Sequence, residues 1–261
     1  MPMKCKYPVV LVHGIALKQV GALSAFGRIG HKLEESGHSV FIAESDGFGT
    51  VENNAVQLKD FIMKVLRETG AEKVNVIAHS KGGLDTKYMI TELGMEEKIA
   101  SLTTLCTPHK GSVIASWIWE LPRPLKSFVA FWIDGFYKIV MRDEKPDSMK
   151  ACDQLRTARE EDETLRFSYK VYCQSYSTSV DRMRDCFIMA LPMKLYRHFE
   201  DVANDGMVSE NSAKFENYKG RCLDIPVSHS QIVDFMAKKS QREKIYEFYK
   251  KICTELAEMG F

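Results

Sequence analysis

The sequence predicts an α/β protein with a mainly parallel sheet of about six strands and helices on both faces. Short, nearly continuous apolar runs alternate along the chain with segments whose apolar residues recur at helical spacing. The 261 residues are 45% hydrophobic and 27% charged, enough apolar material for one sizeable core. We therefore expect a single domain over residues 1–261, without an internal repeat or linker.

Six apolar runs have the character of strands buried on both faces, as in parallel sheets. They are PVVLVHG (8–14), SVFIAESD (39–46), VNVIAHS (74–80), SLTTLCTP (101–108), YKVYCQSY (169–176) and RCLDIPVSHS (221–230). Between the second and third runs, residues 51–69 place Val51, Ala55, Leu58, Ile62, Val65 and Leu66 on one helical face, and Gly70 provides a stop. A last helix is expected from about Arg242. In such a sheet, reactive groups gather at the carboxyl ends of the strands.

Charge, cysteine spacing and hydropathy limit the classes of partner. The chain carries 36 basic and 35 acidic residues, and no long single-sign block predicts nucleic-acid binding. Seven cysteines without a C-x-x-C pair predict neither a disulfide framework nor a zinc site. The longest apolar region, 113–140, is broken too often by charges and prolines to be a transmembrane segment. Because no leader of signal-peptide form is visible, we expect a cytoplasmic protein; a secreted protein whose leader has been removed is the alternative.

The stretch VNVIAHSKGGLDTKYM (74–89) places a serine where a strand passes directly into a helix. Small residues stand two positions either side of Ser80, at Ala78 and Gly82, so a tight turn fits against its neighbours and pushes the hydroxyl outward. This is the pattern of a nucleophile elbow, G-x-S-x-G, with alanine in place of the first glycine. A serine that only caps the helix is the alternative interpretation.

An earlier loop supplies the second part of a site for acyl transfer. The strand VVLV runs into His13-Gly14-Ile15, where Gly14 permits a close backbone approach. Attack on an ester creates an oxyanion that two backbone N–H groups can stabilise. We expect the N–H groups of Ile15 and Lys81 to form this oxyanion hole, and His13 to be structural.

The base should follow its acid, and both should follow Ser80, because serine, acid and histidine occur in that chain order in sheets of this kind. His229 is the candidate, since it lies between a strand-like run and a helix. The other six histidines fit less well: His31 and His38 near a surface-like helix end, His79 beside the nucleophile, His109 in a loop, His198 with little room for an acid before it, and His13.

The acid is less constrained by the pattern. Asp205 lies in an Asn-Asp-Gly turn within VANDGMVS, where a carboxylate could follow a strand, and Asp201 and Asp224 compete with it. Asn-Asp-Gly is also an ordinary turn signal.

Five motifs in order resemble bacterial triacylglycerol lipases and esterases of the α/β-hydrolase fold, the Pseudomonas and Burkholderia true-lipase type and their relatives. They are YPVVLVHGI, VNVIAHSKGGLDTKYM, IASLTTLCTPHKGS, NDGMVS and SHSQIVDF. The resemblance implies Ser80 as nucleophile, Asp205 as acid, His229 as base, and the Ile15 and Lys81 amides as oxyanion hole. Relatives often carry a calcium-binding aspartate two residues after the histidine. Here that residue is Gln231, so we expect no metal and no other cofactor.

The apolar region after the loop Thr107-Pro108-His109 is expected to form a helical lid or cap, an insert over about residues 112–150. Its aromatic residues Trp117, Trp119, Phe128, Phe131 and Trp132 are predicted to bind acyl chains; a plain buried helix pair is the alternative.

Three functions remain open on the sequence. The first is a carboxylic ester hydrolase, a lipase or esterase acting on a small-molecule or lipid ester with transient contact to a lipid interface. The second is an acyltransferase with the same triad, and the third is a non-catalytic lipid-binding relative. The complete set of serine, acid and base argues against the binding relative, and no acceptor pocket for an acyltransferase is recognisable in the sequence.

Overall fold

The computed structural model of the chain describes residues 3–15, 25–139, 141–156, 170–180 and 203–261. It contains a six-stranded sheet in the order β2-β1-β3-β4-β5-β6, with every neighbouring pair parallel. The strands are β1 Val9–Val12, β2 Val40–Ile42, β3 Val74–His79, β4 Ile99–Leu105, β5 Tyr172–Ser177 and β6 Asn217–Arg221. The predicted α/β fold class with about six parallel strands is confirmed.

Helices cover both faces of this sheet. They are α1 Ile29–Glu35, α2 Val51–Thr69, α3 Lys81–Glu92, α4 Val113–Glu120, α5 Arg123–Ile139, α6 Ser148–Arg156, α7 Glu210–Ala213 and α8 Lys239–Glu258. One core cluster packs α1 and α8 on one face, and the other packs α2 and α3 on the opposite face. The strands β1, β3 and β4 are buried along their whole length, as the continuous apolar runs predict.

The helix predicted after β2 forms as expected. The Thr50 side chain accepts a hydrogen bond from the Asn53 amide at its start, and Gly70 ends it in the left-handed conformation at φ 69°. Except for the half-buried Val51, the predicted apolar face is buried. The last helix begins at Lys239, three residues before the predicted start.

The sixth strand is not where the sequence analysis placed it. The strand is Asn217–Arg221, whereas RCLDIPVSHS begins at the strand's last residue and continues as a loop. Asn217–Arg221 lies at the edge of the sheet. Its side chains alternate between exposed and half-buried because only one face of the strand packs against the rest of the protein. An edge strand of this polar composition carries no apolar run, so the pattern pointed to the neighbouring segment instead.

The predicted insert consists of helices α4 and α5 and the start of α6. No helix in the described part of the chain is long and apolar enough to span a membrane. The insert is anchored at the loop that follows β2: the Glu144 and Lys145 amides donate to the Asp46 carboxylate at 2.8 Å, and the Phe48 amide donates to Asp143 at 3.0 Å. These contacts hold its base at the carboxyl edge of the sheet.

Candidate active site

Ser80 occupies a sharp turn between the end of β3 and the start of α3. Its φ of 55° is unusual for a residue that is not glycine, and such strain persists only where the surroundings enforce it. The Ser80 amide donates to the Leu105 carbonyl at 2.9 Å, and the Thr107 hydroxyl donates to the Ser80 carbonyl at 2.9 Å. Because its amide is bonded to the last residue of β4 and its carbonyl to the segment that follows, the turn is fixed at both backbone groups.

The small residues around Ser80 have a direct steric reason. A Cβ atom on Gly82 would lie 2.4 Å from the His13 carbonyl oxygen, and one on Gly14 would lie 2.5 Å from the Ser80 Cβ. Neither position therefore tolerates a side chain without movement of the backbone. The same contact brings the loop after β1 against the serine.

His229 lies within hydrogen-bonding distance of the serine. Its Nε2 is 2.8 Å from the Ser80 Oγ, although the two residues are 149 positions apart in the sequence. The His229 amide donates to the Asp205 carbonyl at 3.0 Å. His79 Nε2 lies 2.9 Å from the His229 carbonyl oxygen, and the two rings are 4.6 Å apart. The loop that carries His229 is thus held by both the acid loop and the residue before the nucleophile.

Asp205 is the carboxylate next to His229. Its Oδ2 lies 2.7 Å from the His229 Nδ1, and its Oδ1 accepts hydrogen bonds from the amides of Met207 at 2.9 Å and Val208 at 2.8 Å. The Asn204 side chain accepts from the Gly206 amide, so Asn-Asp-Gly is a tight turn as well. The turn thus aims one carboxylate oxygen at the imidazole and fixes the other on the backbone.

The two competing acids are not brought to the histidine by the described structure. Asp224 is exposed, and its carboxylate forms no hydrogen bond with His229. Asp201 lies outside the described residues, as does His198. Asp205, at 1% exposure, is the carboxylate that the fold places at the imidazole.

Three other histidines near the site have structural contacts. His13 Nδ1 donates to the Gly14 carbonyl at 2.9 Å while its Nε2 accepts from the Ser45 amide, so His13 fixes its own loop. His79 is fully buried, and burial together with the neighbouring His229 moves its pKa well below the usual range. Burial and two nearby lysines likewise lower the pKa of His109 to about 3. The His79 and His109 rings therefore remain neutral.

His38 differs from its expected surface position. It is only 6% exposed and contacts Cys5, which precedes β1. This contact joins segments 33 residues apart, and nothing in the local pattern around His38 signals it. His31, by contrast, is exposed on α1 and paired with Glu35.

The predicted oxyanion donors are placed as follows. Lys81 is the first residue of α3, so its N–H has no acceptor within the helix. Ile15 follows Gly14, whose backbone touches Ser80. The Lys81 ammonium is buried and paired with Asp85 at 2.7 Å. Burial raises the pKa of Asp85 to about 6, opposed by Lys81.

The position of the relatives' calcium ligand has another use in this chain. The Gln231 side-chain oxygen accepts from the Ser228 amide at 3.0 Å and from the Gln241 side chain at 3.3 Å. Asp234, the next carboxylate, is bonded to the Arg28 amide, Arg242 and Tyr246. These hydrogen bonds stabilise the loop that carries the histidine.

Three of the aromatic residues of the insert are exposed at the surface and not enclosed in a pocket. Phe128, Phe131 and Trp132 on α5 are 63%, 73% and 62% exposed and contact one another edge to face. Trp117 is half-buried on α4, and the Trp119 ring is approached by the Lys126 ammonium and the Arg156 guanidinium, each at 4.7 Å. Helix α5 therefore presents an apolar surface to its surroundings.

Known proteins with similar sequences are named lipases. The chain is 33% identical over 166 residues to a triacylglycerol lipase of Pseudarthrobacter phenanthrenivorans, covering 59% of this chain and 51% of that protein. It is 29% identical over 252 residues to triacylglycerol lipase 2 of Saccharomyces cerevisiae, covering 88% and 72%. A Burkholderia plantarii lipase matches at 33% over 46% of its length, so the chain spans about half of the two bacterial relatives.

Solved structures with the same fold are lipases and esterases. The Staphylococcus hyicus lipase superposes with a TM-score of 0.70 at 16% identity, covering 99% of this chain and 97% of that one. A metagenomic carboxyl esterase superposes with a TM-score of 0.74 at 16% identity, covering 97% and 76%. At these identities the likeness establishes the α/β-hydrolase fold. The palmitoyl protein thioesterase family matches residues 8–165, which include the nucleophile turn and the whole insert, and the chain therefore belongs to that family of α/β-hydrolases.

Proposed function

We propose that the chain is a serine hydrolase that cleaves carboxylic esters of fatty acyl chains. One observation carries the proposal: Asp205, His229 and Ser80 form a continuous hydrogen-bonded line of 2.7 and 2.8 Å that ends at a strained serine. This is the geometry required for a nucleophile, a base and a group that orients the base. The names of the relatives support the same class of reaction.

The hydrogen bonds assign the direction of proton transfer. Because the Asp205 carboxylate accepts at Oδ2, His229 carries its proton on Nδ1 and leaves the Nε2 lone pair facing Ser80. Nε2 then removes the hydroxyl proton as Oγ attacks the ester carbonyl, and the resulting imidazolium is stabilised by Asp205. The same proton passes to the leaving alcohol. Water releases the acid from the acyl-enzyme by the same steps in reverse.

The oxyanion formed during attack lies beside two backbone donors in this proposal. The Lys81 N–H points from the start of α3, where the helix dipole adds positive potential. The Ile15 N–H follows the glycine that touches Ser80. Donors of this kind contribute about 3–4 kcal/mol each in comparable sites, measured as the loss when one is removed.

The insert is proposed as the part that binds the acyl chain and meets the lipid surface. Its first residue, Ser112, donates from its hydroxyl to the Met207 carbonyl, two residues from the acid, so the insert starts at the active site. The exposed aromatic face of α5 is apolar surface that a monomer rarely leaves in water. A lipid substrate would cover it.

Thioester hydrolysis is a second candidate reaction. Its support is the match of residues 8–165 to a family described by palmitoyl protein thioester cleavage. The acyl-enzyme is the same for both substrates, and only the leaving group differs, an alcohol for an ester and a thiol for a thioester.

The test is hydrolysis of p-nitrophenyl esters of increasing acyl length beside the matching acyl thioesters, each with and without a competing alcohol. We expect ester turnover that Ser80→Ala lowers by about 10⁶-fold, as for the nucleophile of a comparable triad. A thioester preference would select the second candidate. Acyl transfer to the alcohol in excess of hydrolysis would identify an acyltransferase, and binding without turnover would contradict the proposal.

A further inference from the structure

Two cysteines and a histidine meet at the edge of the sheet opposite the active site. Cys5 precedes β1, His38 precedes β2, and Cys253 lies on α8. Their sulfur and ring-nitrogen atoms all lie within 4.8 Å of one another. Since β1 and β2 begin here and Ser80 follows the carboxyl end of β3, the cluster has no part in the proposed hydrolysis.

The contacts within the cluster are already polar. The Cys5 amide donates to the His38 Nδ1 at 3.3 Å, and the Cys5 thiol donates to the Cys253 carbonyl at 3.2 Å. The Nδ1 lone pair of His38 thus faces Cys5, and a metal ion bound there would replace the amide as its partner. Cys253 is buried and Cys5 is half-buried, so the cluster can be reached from solvent on the Cys5 side.

Two thiolates and an imidazole are a ligand set that favours zinc over calcium or magnesium. In a tetrahedral zinc site with bonds of about 2.0–2.3 Å, neighbouring ligand atoms lie about 3.3–3.8 Å apart. The three ligand atoms are at most 4.8 Å apart, so side-chain rotations that move these atoms by about an ångström bring them to the distances of a zinc site.

We propose that Cys5, His38 and Cys253 bind one Zn²⁺ ion, with a water molecule as the fourth ligand. The ion would join the segment before β1 to the last helix. The two chain ends already approach each other here, since the Lys6 amide donates to the Phe261 carbonyl at 2.7 Å. The metal therefore acts as a structural clamp between the ends of the chain.

The proton balance follows from the two thiols. Side-chain hydrogen bonding with the Cys253 thiol, and then with His38, lowers the pKa of the Cys5 thiol to about 6 against the effect of burial. The pKa of Cys253 is raised by its hydrogen bond with Cys5 and by burial. At neutral pH, zinc binding releases the proton of Cys253 and any remaining proton of Cys5. No oxidation or reduction takes part.

The experiment titrates reduced, metal-free protein with Zn²⁺ against a chromophoric chelator and records the thiolate absorption band with Co²⁺ in its place. We expect one equivalent bound with a Kd below about 1 μM. Cys5→Ala, His38→Gln and Cys253→Ala should each weaken binding by at least about 100-fold, beyond the 10–100-fold typical of outer-shell partners. The matched control is Cys152→Ala, a half-buried cysteine of α6 outside the cluster.

A second readout is thermal unfolding: zinc should raise the melting temperature of the parent protein and of Cys152→Ala but not of Cys5→Ala, a substitution at a half-buried position. Ester turnover at 25 °C should not change. Failure to bind zinc, or a Cys5–Cys253 disulfide that forms under saturating zinc, would overturn the proposal. So would binding that survives the three variants and is lost in His229→Ala, because the ion would then occupy the cluster of Cys106, Asp205 and His229.

Discussion

Replacing Asp205 by asparagine should abolish most turnover by reversing the tautomer of His229. The two backbone amides of Met207 and Val208 donate to Oδ1 at 2.9 and 2.8 Å. An asparagine must present its own oxygen to these two donors, because the opposite orientation would leave both unpaired at about 1–3 kcal/mol each. The side-chain NH₂ then faces the His229 Nδ1 across the present distance of 2.7 Å.

An NH₂ group at that distance donates to Nδ1 and moves the imidazole proton to Nε2. The Nε2–H then points at the Ser80 Oγ, 2.8 Å away, and cannot accept the hydroxyl proton. The cost in a comparable triad is about 10⁴-fold in kcat, or about 5.4 kcal/mol. Folding should change little, since the two hydrogen bonds at Oδ1 are kept.

The assay is kcat/KM with a short p-nitrophenyl ester, with thermal unfolding measured in parallel. Asp224→Asn is the matched control, because this exposed aspartate lies in the same part of the chain and should retain full activity. Activity of Asp205→Asn within tenfold of the parent, or a severe loss in Asp224→Asn, would refute the assignment of the acid.

Three further predictions follow from other parts of the structure. Asp85→Asn leaves its buried lysine partner uncompensated and should lower the free energy of unfolding by about 3–5 kcal/mol in urea, whereas a change under 1 kcal/mol would show that the pair contributes little. Initial rates at 25 °C should survive EDTA, because the oxygens near the catalytic histidine are engaged in hydrogen bonds; a loss that calcium alone restores would contradict this. Each methylene of the acyl chain should add about 0.8 kcal/mol to the binding free energy until the binding region is filled. The double variant Trp117→Ala, Trp132→Ala should flatten this rise with chain length. The control Met259→Ala, at an exposed residue at the end of α8, should leave it unchanged. Equal losses on acetate and long-chain esters would mean that the two tryptophans are ordinary packing residues.

The nucleophile turn was predictable because its constraint is local. A Cβ atom at Gly82 or Gly14 would overlap the backbone or Ser80. The positions near the serine therefore require small residues, and this requirement is visible in the sequence. The helix α2 was equally predictable, since the spacing of its apolar residues and its end at Gly70 are properties of one segment.

Features that depend on contacts between distant parts of the chain could not be predicted from the sequence in the same way. Asp205 lies in a predicted turn and Asp224 in a run predicted as a strand, and only the fold shows which one meets the imidazole of His229. The strand β6 has edge-strand composition, and the buried His38 contacts Cys5, which lies 33 residues away in the sequence. For α5, periodicity predicts an amphipathic helix but not that its aromatic face is exposed.

The most direct test of the proposed mechanism is covalent labelling with a fluorophosphonate followed by peptide mass spectrometry. This reagent reacts with a serine whose hydroxyl proton is removed by a neighbouring base, which is the state that the 2.8 Å contact between His229 and Ser80 provides. One label per chain on Ser80, with labelling slowed strongly in His229→Ala, is the result that we predict. A label on another residue, or no label on a chain that hydrolyses esters, would contradict the assignment of Ser80 as the nucleophile.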